Sequence, residues 1–254
     1  MRARVLPCVL LALLLGSGTA WAPGRPVLGS DDFTRYLSPY GQWVSVDPYG
    51  LCWKPYNMPK GWRPYTNGRW VYTDYGWTWV SNLPWGWAPF HYGRWTNQGP
   101  FGWIWIPGST WGPGWCAWRY GNGWAGWTPL PPGVVWAGRD FAGNFRWDGI
   151  VTIEAWIFAP EKDLLAPDLS KAVVPGERNK AIFPETKSAT RYDLIEGRIF
   201  DRSLDPEKVA KAAGQAVPRY DVNDCATVDD YQTEKRFSKR EVYMYRPVMP
   251  WMKQ

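Results

Sequence analysis

The residue types that most often carry catalysis are scarce in this sequence. It contains one histidine, His91, so a Ser-His-Asp or Cys-His arrangement would have to use it. His91 lies among aromatic residues in "APFHYGRW", a setting that favours a hydrogen-bonded structural role. A carboxylate pair for glycoside hydrolysis would have to come from the second half, for example Glu154 with Asp148 or Asp163, yet nothing distinguishes these acids from ordinary solvated ones. We therefore predict a protein that is not an enzyme and that binds no cofactor.

The cysteines allow a disulfide but no zinc site. Cys8 lies in the N-terminal apolar segment, which leaves Cys52, Cys116 and Cys225, an odd number that permits one disulfide and one further thiol in an oxidising compartment. Cys52 and Cys116 both lie in the tryptophan-rich region, so we predict a disulfide between them, with three unpaired thiols as the alternative. Because there is one histidine and no Cys-x-x-Cys, we predict no metal site.

The N-terminus and the charge indicate an exported protein. Residues 1–20 have two early arginines, an apolar run and small residues, which is typical of a signal peptide cleaved after Ala20, or alternatively after Ala22. No other segment is long and apolar enough to span a bilayer, so we predict no transmembrane segment in the mature chain. The formal net charge of +6 comes without a long basic tract, which argues against nucleic acid as a partner. The expected location is periplasmic or extracellular, either free or associated with the cell envelope.

The part of the chain that contains His91, Cys52 and Cys116 consists of repeated units. Glycines Gly50, Gly76 and Gly102 recur every 26 residues inside similar units, and most of the 21 tryptophans lie between Trp43 and Trp136. Between the units, "GWRPY" and "GWAPF" share a Gly-Trp-x-Pro-aromatic pattern, and a divergent last copy follows at 112–132. The three regular units are "YGQWVSVDPYGLCW" (40–53), "GRWVYTDYGWTW" (68–79) and "GRWTNQGPFGWIW" (93–105).

Each unit is predicted to be a β-hairpin, because short aromatic and β-branched runs alternate with period two around Gly, Pro, Asp and Asn. A two-residue turn at Asp74 and Tyr75 places Thr73 opposite Gly76, Tyr72 opposite Trp77 and Trp70 opposite Trp79. Arg69, Val71, Thr78 and Val80 then point to the other face. Three-residue loops in the neighbouring units predict the pairs Trp43–Trp53 and Trp95–Trp105. We expect the hairpins to form one continuous antiparallel array.

The aromatic rings have two interpretations. A large ring buries about 150–250 Å², so tryptophan can replace a wide aliphatic core, and this explains most of the rings. Alternatively, some rings stay exposed on a rigid frame, since the region from Tyr75 to Gly138 carries only the charges of Arg94 and Arg119. The candidate ligand-binding residues are Trp70, Tyr72, Trp77, Trp79, Trp95, Trp103 and Trp105.

The composition changes after residue 136. We predict a linker at 21–38, a Trp-rich β-hairpin repeat domain at 39–136 and a small α+β domain at 137–254. The second domain is expected to have a strand at 149–160, a loop-rich crossing at 161–193 and a strand at 217–222. It is expected to end in a loose C-terminal tail, with a tail that packs back on the domain as the alternative. Asp205 as N-cap, Pro206 in the first turn and Gly214 as terminator predict a short helix. The fold class is therefore mainly β, with an array of short antiparallel hairpin repeats followed by a small α+β domain.

Three segments together carry a resemblance to a known family. The run "GWRPYTNGRWVYTDYGWTWVSNLPWGWAPFHYGRW", the closing "WAGWTPLPP" and the downstream "RSLDPEKVAKAAGQAVPRYDV" resemble an uncharacterised family of secreted bacterial Trp/Gly/Pro-rich repeat proteins. The resemblance covers roughly residues 36–225. It implies export and a two-part layout, and it brings no activity or catalytic residues. Cys52 and Cys116 depart from the family's usual pattern.

Two functions from different classes are compatible with these observations. The first is an exported, non-enzymatic cell-envelope protein that acts as a binding module and presents aromatic surface to envelope glycan or another polymer. The alternative is a structural or assembly protein whose aromatic face docks an envelope protein or another copy of itself. The fixed spacing of the aromatic pairs favours the polymer, because repeated pairs offer repeated subsites.

Overall fold

The computed structural model describes residues 32–134, 151–232 and 236–249. The predicted signal peptide and the predicted linker up to residue 31 lie outside these ranges, as does the start of the strand predicted at 149–160. Strands dominate the described part, which confirms a mainly β fold. In the described ranges, no helix combines the length and the apolar character needed to cross a membrane.

The repeat region forms four hairpins behind a short helix, α1 (Asp32–Leu37). The turn glycines Gly50, Gly76 and Gly102 have φ angles of 74°, 80° and 69°, which lie in the left-handed region that favours glycine. This explains why glycine recurs at the same point of each unit. The paired strands are β1 (Gly41–Val46) with β2 (Gly50–Pro55), β3 (Gly68–Thr73) with β4 (Gly76–Ser81), β5 (Arg94–Gln98) with β6 (Gly102–Ile106), and β7 (Cys116–Gly121) with β8 (Trp124–Pro129).

The predicted register is confirmed in every regular unit. Trp43 lies opposite Trp53, Trp70 opposite Trp79 and Trp95 opposite Trp105. In the second hairpin, Tyr72 also faces Trp77 and Thr73 faces Gly76. The divergent fourth hairpin repeats the arrangement with Trp118 opposite Trp127. One tryptophan pair per hairpin is therefore a property of all four copies.

The second half supplies short strands and helices. Its helix α3 (Pro206–Ala213) begins at Asp205, whose side chain accepts a 2.9 Å hydrogen bond from the Glu207 amide, and ends at Gly214 with φ 67°. Both ends agree with the sequence prediction. The remaining elements are β9 (Ile157–Pro160), α2 (Asn179–Ile182), β10 (Lys187–Ser188), β11 (Tyr192–Ile195), β12 (Arg198–Asp201), β13 (Arg219–Asp224), α4 (Val228–Gln232), β14 (Phe237–Ser238) and β15 (Glu241–Met244).

The hairpins do not form one continuous array, which corrects that prediction. Within the described residues, the first and third hairpins share a sheet of order β1-β2-β6-β5. The second lies in the middle of a sheet of order β11-β12-β4-β3-β13-β15-β14, and the fourth in a sheet of order β10-β7-β8-β9. Strands from both sides of residue 136 therefore share two sheets. The cause is parallel pairing of β12 and β13 with β4 and β3, which separates the second hairpin from its neighbours.

Many indole N–H groups are bound to backbone carbonyls of the connecting segments. Trp95 donates to Pro89 at 2.8 Å, Trp105 to Tyr92 at 2.7 Å and Trp127 to Tyr65 at 2.9 Å. These carbonyls lie outside the ladders, and burial without a partner would be unfavourable for them. Tryptophan therefore does two things that phenylalanine cannot do together: it fills the core, and it fixes the links between hairpins.

The C-terminal segment is packed, which corrects the prediction of a loose tail as far as Met249. Strand β15 pairs with β13 in parallel, and Met244 and Met249 are buried. Arg246 donates from Nε to Asp224 at 2.6 Å, and its guanidinium lies 5.0 Å from the ring centroids of Tyr75 and Trp111. These contacts bind the segment to the second hairpin.

Candidate functional site

Most of the aromatic candidates are in the core. Six of the seven expose at most 7% of their surface and lie in the main hydrophobic cluster, where a ligand cannot stack on them without unfolding: Trp70, Tyr72, Trp77, Trp79, Trp95 and Trp105. The structure therefore corrects their assignment as ligand-facing residues. Trp103 is half-buried and lines a surface cleft.

The predicted disulfide is absent, and this is a further correction. Cys52 and Cys116 are both free and buried. Cys52 packs with Val46 and Ile104 on the outer face of the first sheet, whereas Cys116 lies in the main core. Burial raises the pKa of both thiols, which keeps them protonated. The alternative of unpaired thiols describes the structure, and Cys225 is free as well.

His91 has the structural role that its setting favours. Its ring is 1% exposed, lies with Nδ1 2.9 Å from the Gly112 carbonyl and stacks on Trp111 at an interplanar angle of 11°. Burial lowers its pKa to about 4, so the ring is neutral at physiological pH. Of the carboxylates considered for hydrolysis, Glu154 lines the cleft, Asp163 does not, and Asp148 lies outside the described residues.

The cleft has a volume of about 940 Å³ and lies between the repeat region and the second half. This size is in the range of small-molecule and oligomer sites. Aromatic, amide and charged side chains meet there. Its lining includes Lys54, Pro55, Met58, Trp62, Arg63, Asn97, Phe101, Trp103, Thr152, Glu154, Glu177, Asn179 and Lys180.

The floor of the cleft continues the core-facing row of the first sheet. Trp53, Trp105 and Trp95 lie side by side across β2, β6 and β5 and are buried. Because side chains alternate along a strand, the residues two positions further on share the same face. Those residues are Pro55, Trp103 and Asn97, and all three line the cleft. The same alternation that places tryptophans in the core therefore places the Trp103 ring and the Asn97 amide at the surface two residues along each strand.

Trp62 forms the second aromatic surface. It is half-buried, and its Nε1 donates to the Asn67 Oδ1 at 2.9 Å. Its ring packs edge-on against Trp95 at 5.8 Å and Trp85 at 6.4 Å between centroids. The hydrogen bond and the ring contacts fix the orientation of Trp62, so its ring is preorganised.

The opposite wall comes from the second half, at 152–155 and 176–180. Asn179 holds this wall together, because its Nδ2 donates to the carbonyls of Ile153 at 2.9 Å and Trp156 at 2.7 Å. Arg63 joins it to the repeat region by donating to the carbonyls of Trp156 and Val174. Burial lowers the pKa of Arg63, and nearby Glu177 opposes that effect.

A second polar cluster lies deep in the core. Asp201 is fully buried, accepts from Trp118 Nε1 and from the Ser203 amide at 2.9 Å each, and burial raises its pKa to about 7. Tyr192 lies close by, with its hydroxyl within hydrogen-bond distance of the Gly114 and Cys116 carbonyls, and it accepts from the Cys116 amide at 3.1 Å. The cluster is closed to ligands, so its effect is on stability. Within the described ranges, no group of three or more His, Cys, Asp or Glu residues could hold a metal ion.

The fold and the cleft define a mainly β repeat protein with an aromatic-lined cleft at one end of a hairpin sheet. Residues 34–134 of this chain match the model of a family of unknown function, DUF6600. The match covers the four hairpins and the aromatic side of the cleft. Comparison with curated proteins and with solved structures gives no match.

Sequence reasoning missed Trp62 and Arg63 as site residues. A signal was present in the two copies of the link motif: "GWRPY" has Arg63 where "GWAPF" has Ala88. A long cation at one copy and a methyl group at the other indicate different surroundings for the two motifs. The wall at 152–155 and 176–180 had no comparable signal, because its approach to the repeats depends on tertiary packing.

Proposed function

We propose that this protein is an exported, non-enzymatic cell-envelope protein that binds a saccharide chain in the cleft. The observation that carries the proposal is the placement of Trp62 and Trp103. The paired tryptophans of the hairpins are mostly enclosed in the core, whereas these two half-buried rings line one cleft together with the Asn97 amide.

The chemistry of this arrangement suits a sugar ring. The C–H face of a pyranose stacks on an indole, and an amide such as that of Asn97 binds the hydroxyls at its edge. Trp62 and Trp103 are held by their neighbours before any ligand arrives, so binding orders few side chains. The stacking contribution needs no charge, and it should therefore depend little on salt, unlike binding to phosphate.

Export rests on the N-terminal segment alone, with its arginines, apolar run and small residues. An exported protein of this kind meets the glycan of the cell envelope as its most abundant polymer. Periplasmic or extracellular placement is therefore part of the same proposal, and N-terminal sequencing of the exported protein tests it. A mature protein that still begins at Met1 would contradict it.

The test of binding is a titration of the purified mature protein with envelope oligosaccharides, followed by tryptophan fluorescence. We expect saturable quenching that persists at high salt and is lost in Trp103→Ala and Trp62→Ala. Trp124→Ala is the matched control, because Trp124 is half-buried but does not line the cleft. Quenching that is equal in all three variants, or absent for every saccharide, would contradict the proposal.

One feature favours the alternative, an assembly protein. Strand β1 forms the end of its sheet, and among the described residues no strand pairs with its outer edge. It carries Trp43 and Val44 but neither lysine nor proline, the residues that commonly protect such edges. Concentration-dependent self-association that is abolished by Val44→Lys, in a protein that binds no saccharide, would favour assembly.

A further inference from the structure

Besides Arg63, four charged side chains line the cleft beside its aromatic floor: Lys54, Lys180, Glu154 and Glu177. None of the four forms a salt bridge within 4.0 Å with another described side chain. Arg63 differs from them, because its guanidinium already binds two backbone carbonyls. Besides Arg63, which lies near Glu177, the cleft therefore offers two cations and two anions that form no salt bridges with one another.

The charges come from different elements. Lys54 belongs to β2, beside the aromatic floor, whereas Glu154, Glu177 and Lys180 belong to the second-half wall. Asn179 and Arg63 fix that wall relative to the floor. A neutral saccharide would cover these charges without pairing them, which is unfavourable. A ligand with groups of both signs would pair them.

We propose that the cleft recognises a glycopeptide, that is, a saccharide bearing a short peptide with both carboxylate and ammonium groups. The inference rests on the proposed saccharide binding and narrows its ligand. The sugar ring lies on Trp103 and Trp62, the peptide carboxylates meet Lys54 and Lys180, and the peptide ammonium group meets Glu154 and Glu177.

Ligands with one sign of charge fit less well. A polyanion such as a nucleic acid or a fully acidic polysaccharide would bring Glu154 and Glu177 against like charge. A basic peptide would bring Lys54 and Lys180 against like charge. A zwitterionic peptide without a sugar would leave the aromatic floor unused.

The experiment compares three probes by isothermal titration: a disaccharide of N-acetylated amino sugars carrying a tetrapeptide with a free amine, the same disaccharide without peptide, and the free tetrapeptide. We expect the glycopeptide to bind roughly fivefold or more tightly than the bare disaccharide at low salt, since exposed ion pairs each add modestly. This increment should shrink at about 0.5 M salt, where charges are screened within a few ångströms.

Charge variants locate the effect. Two double variants are compared: Lys54→Gln with Lys180→Gln, and Glu154→Gln with Glu177→Gln. Each should reduce the difference in log affinity between glycopeptide and bare disaccharide by about half or more. Neither should change the affinity for the bare disaccharide. Lys208→Gln with Glu207→Gln, both exposed on α3, is the matched control and should change neither.

The outcomes separate this inference from the proposed function. Equal affinity for the glycopeptide and the bare disaccharide, with both still dependent on Trp103, would overturn the inference and leave saccharide binding intact. Affinity for the free tetrapeptide equal to that for the glycopeptide would overturn both, as would binding of none of the three probes. Binding of the glycopeptide that is unaffected by the charge variants would overturn the inference alone.

Discussion

The second and third hairpins are copies of one unit, yet the chain uses them differently. In the second, Trp70 faces Trp79 and the next pair toward the turn, Tyr72 and Trp77, is buried as well. In the third, Trp95 faces Trp105 in the core, but the next pair is Asn97 and Trp103, which lines the cleft. A single pair position thus separates the core from the cleft.

The reason lies in what flanks each hairpin. Strands β12 and β13 of the second half pair with β4 and β3, and the outer face of the second hairpin is covered by Val222, Val242 and Met244. The third hairpin lies at the edge of its sheet, and the nearest part of the second half stands off from it across the cleft. One copy of the repeat therefore contributes to the cleft, because the surrounding structure leaves one of its pairs uncovered.

The link motifs show the same division. In the first copy, Trp62 lines the cleft and Arg63 reaches the second half, whereas in the second copy Trp87 and Ala88 are buried. The final aromatic residues remain in contact: Tyr65 donates from its hydroxyl to the Phe90 carbonyl at 2.9 Å. Both copies of the motif thus pack their final aromatic residue in the core, and only the first copy places its tryptophan and the following residue at the cleft.

The largest expected effect is a difference in stability between a variant of the second hairpin, Trp70→Ala, and a variant of the third, Trp103→Ala. Trp70 packs against Trp118, Trp79 and Tyr65 with centroid distances of 4.5, 5.2 and 5.9 Å, so Trp70→Ala should lower the free energy of unfolding by about 3–5 kcal/mol. Trp103→Ala should lower it by clearly less, about 1–2 kcal/mol, because the ring is only partly buried at the edge of the core. Urea unfolding followed by circular dichroism measures both. Equal losses would remove the distinction between core pair and cleft pair.

A smaller effect is expected at the turn glycines. Gly76 and Gly102 both have positive φ, so replacement by alanine should cost about 1–2 kcal/mol at either position. At Gly76 an added Cβ would also lie 1.9 Å from the Asp201 carbonyl oxygen, whereas at Gly102 no atom lies within 4 Å. We expect Gly76→Ala to cost about 1–3 kcal/mol more than Gly102→Ala. Equal thermal unfolding midpoints for Gly76→Ala and Gly102→Ala would contradict a close contact between β12 and the second hairpin.

The smallest effect concerns pH. Asp201 pairs with Gly76 of the second hairpin, and burial raises its pKa from 3.8 to about 7. His91 precedes the third hairpin, and burial lowers its pKa from 6.5 to about 4. Between pH 4 and 6.5, the folded state holds a proton on Asp201 that the unfolded state has lost, so this group makes stability fall as pH rises. His91 does the opposite, because the unfolded chain binds the proton there.

The two slopes should largely cancel in the native protein. Asp201→Asn should leave the His91 slope, with stability rising from pH 4 to 6.5, and His91→Gln should leave the Asp201 slope, with stability falling. Each slope is bounded by about 1.4 kcal/mol per pH unit. Urea midpoints at four pH values measure them. The offset in stability that either substitution causes does not matter, since the sign of the slope is the result, and two slopes of the same sign would contradict the assignment.

Local rules made much of the fold predictable. Turn glycines at positive φ, period-two alternation and loop lengths determine the pairing within each hairpin, and so Trp70 with Trp79 and Trp95 with Trp105 follow from spacing. The helix at 206–213 follows in the same way from Asp205, Pro206 and Gly214, since capping is a matter of neighbouring residues. These features depend on atoms a few residues apart in the chain.

Tertiary structure alone decided which rings are enclosed and which line the cleft. Trp103 and Trp105 lie on one strand and one face, yet the first lines the cleft and the second is enclosed. Phe33 and Tyr92, from distant and neighbouring parts of the chain, contact Trp105, whereas the segments at 152–155 and 176–180 lie across the cleft from Trp103. The placement of Cys52 and Cys116 in separate clusters, and the insertion of β12 and β13 beside the second hairpin, depend on the same long-range packing. The sequence by itself specified how each hairpin pairs, whereas burial, which depends on contacts between distant segments, assigned each ring to the core or to the site.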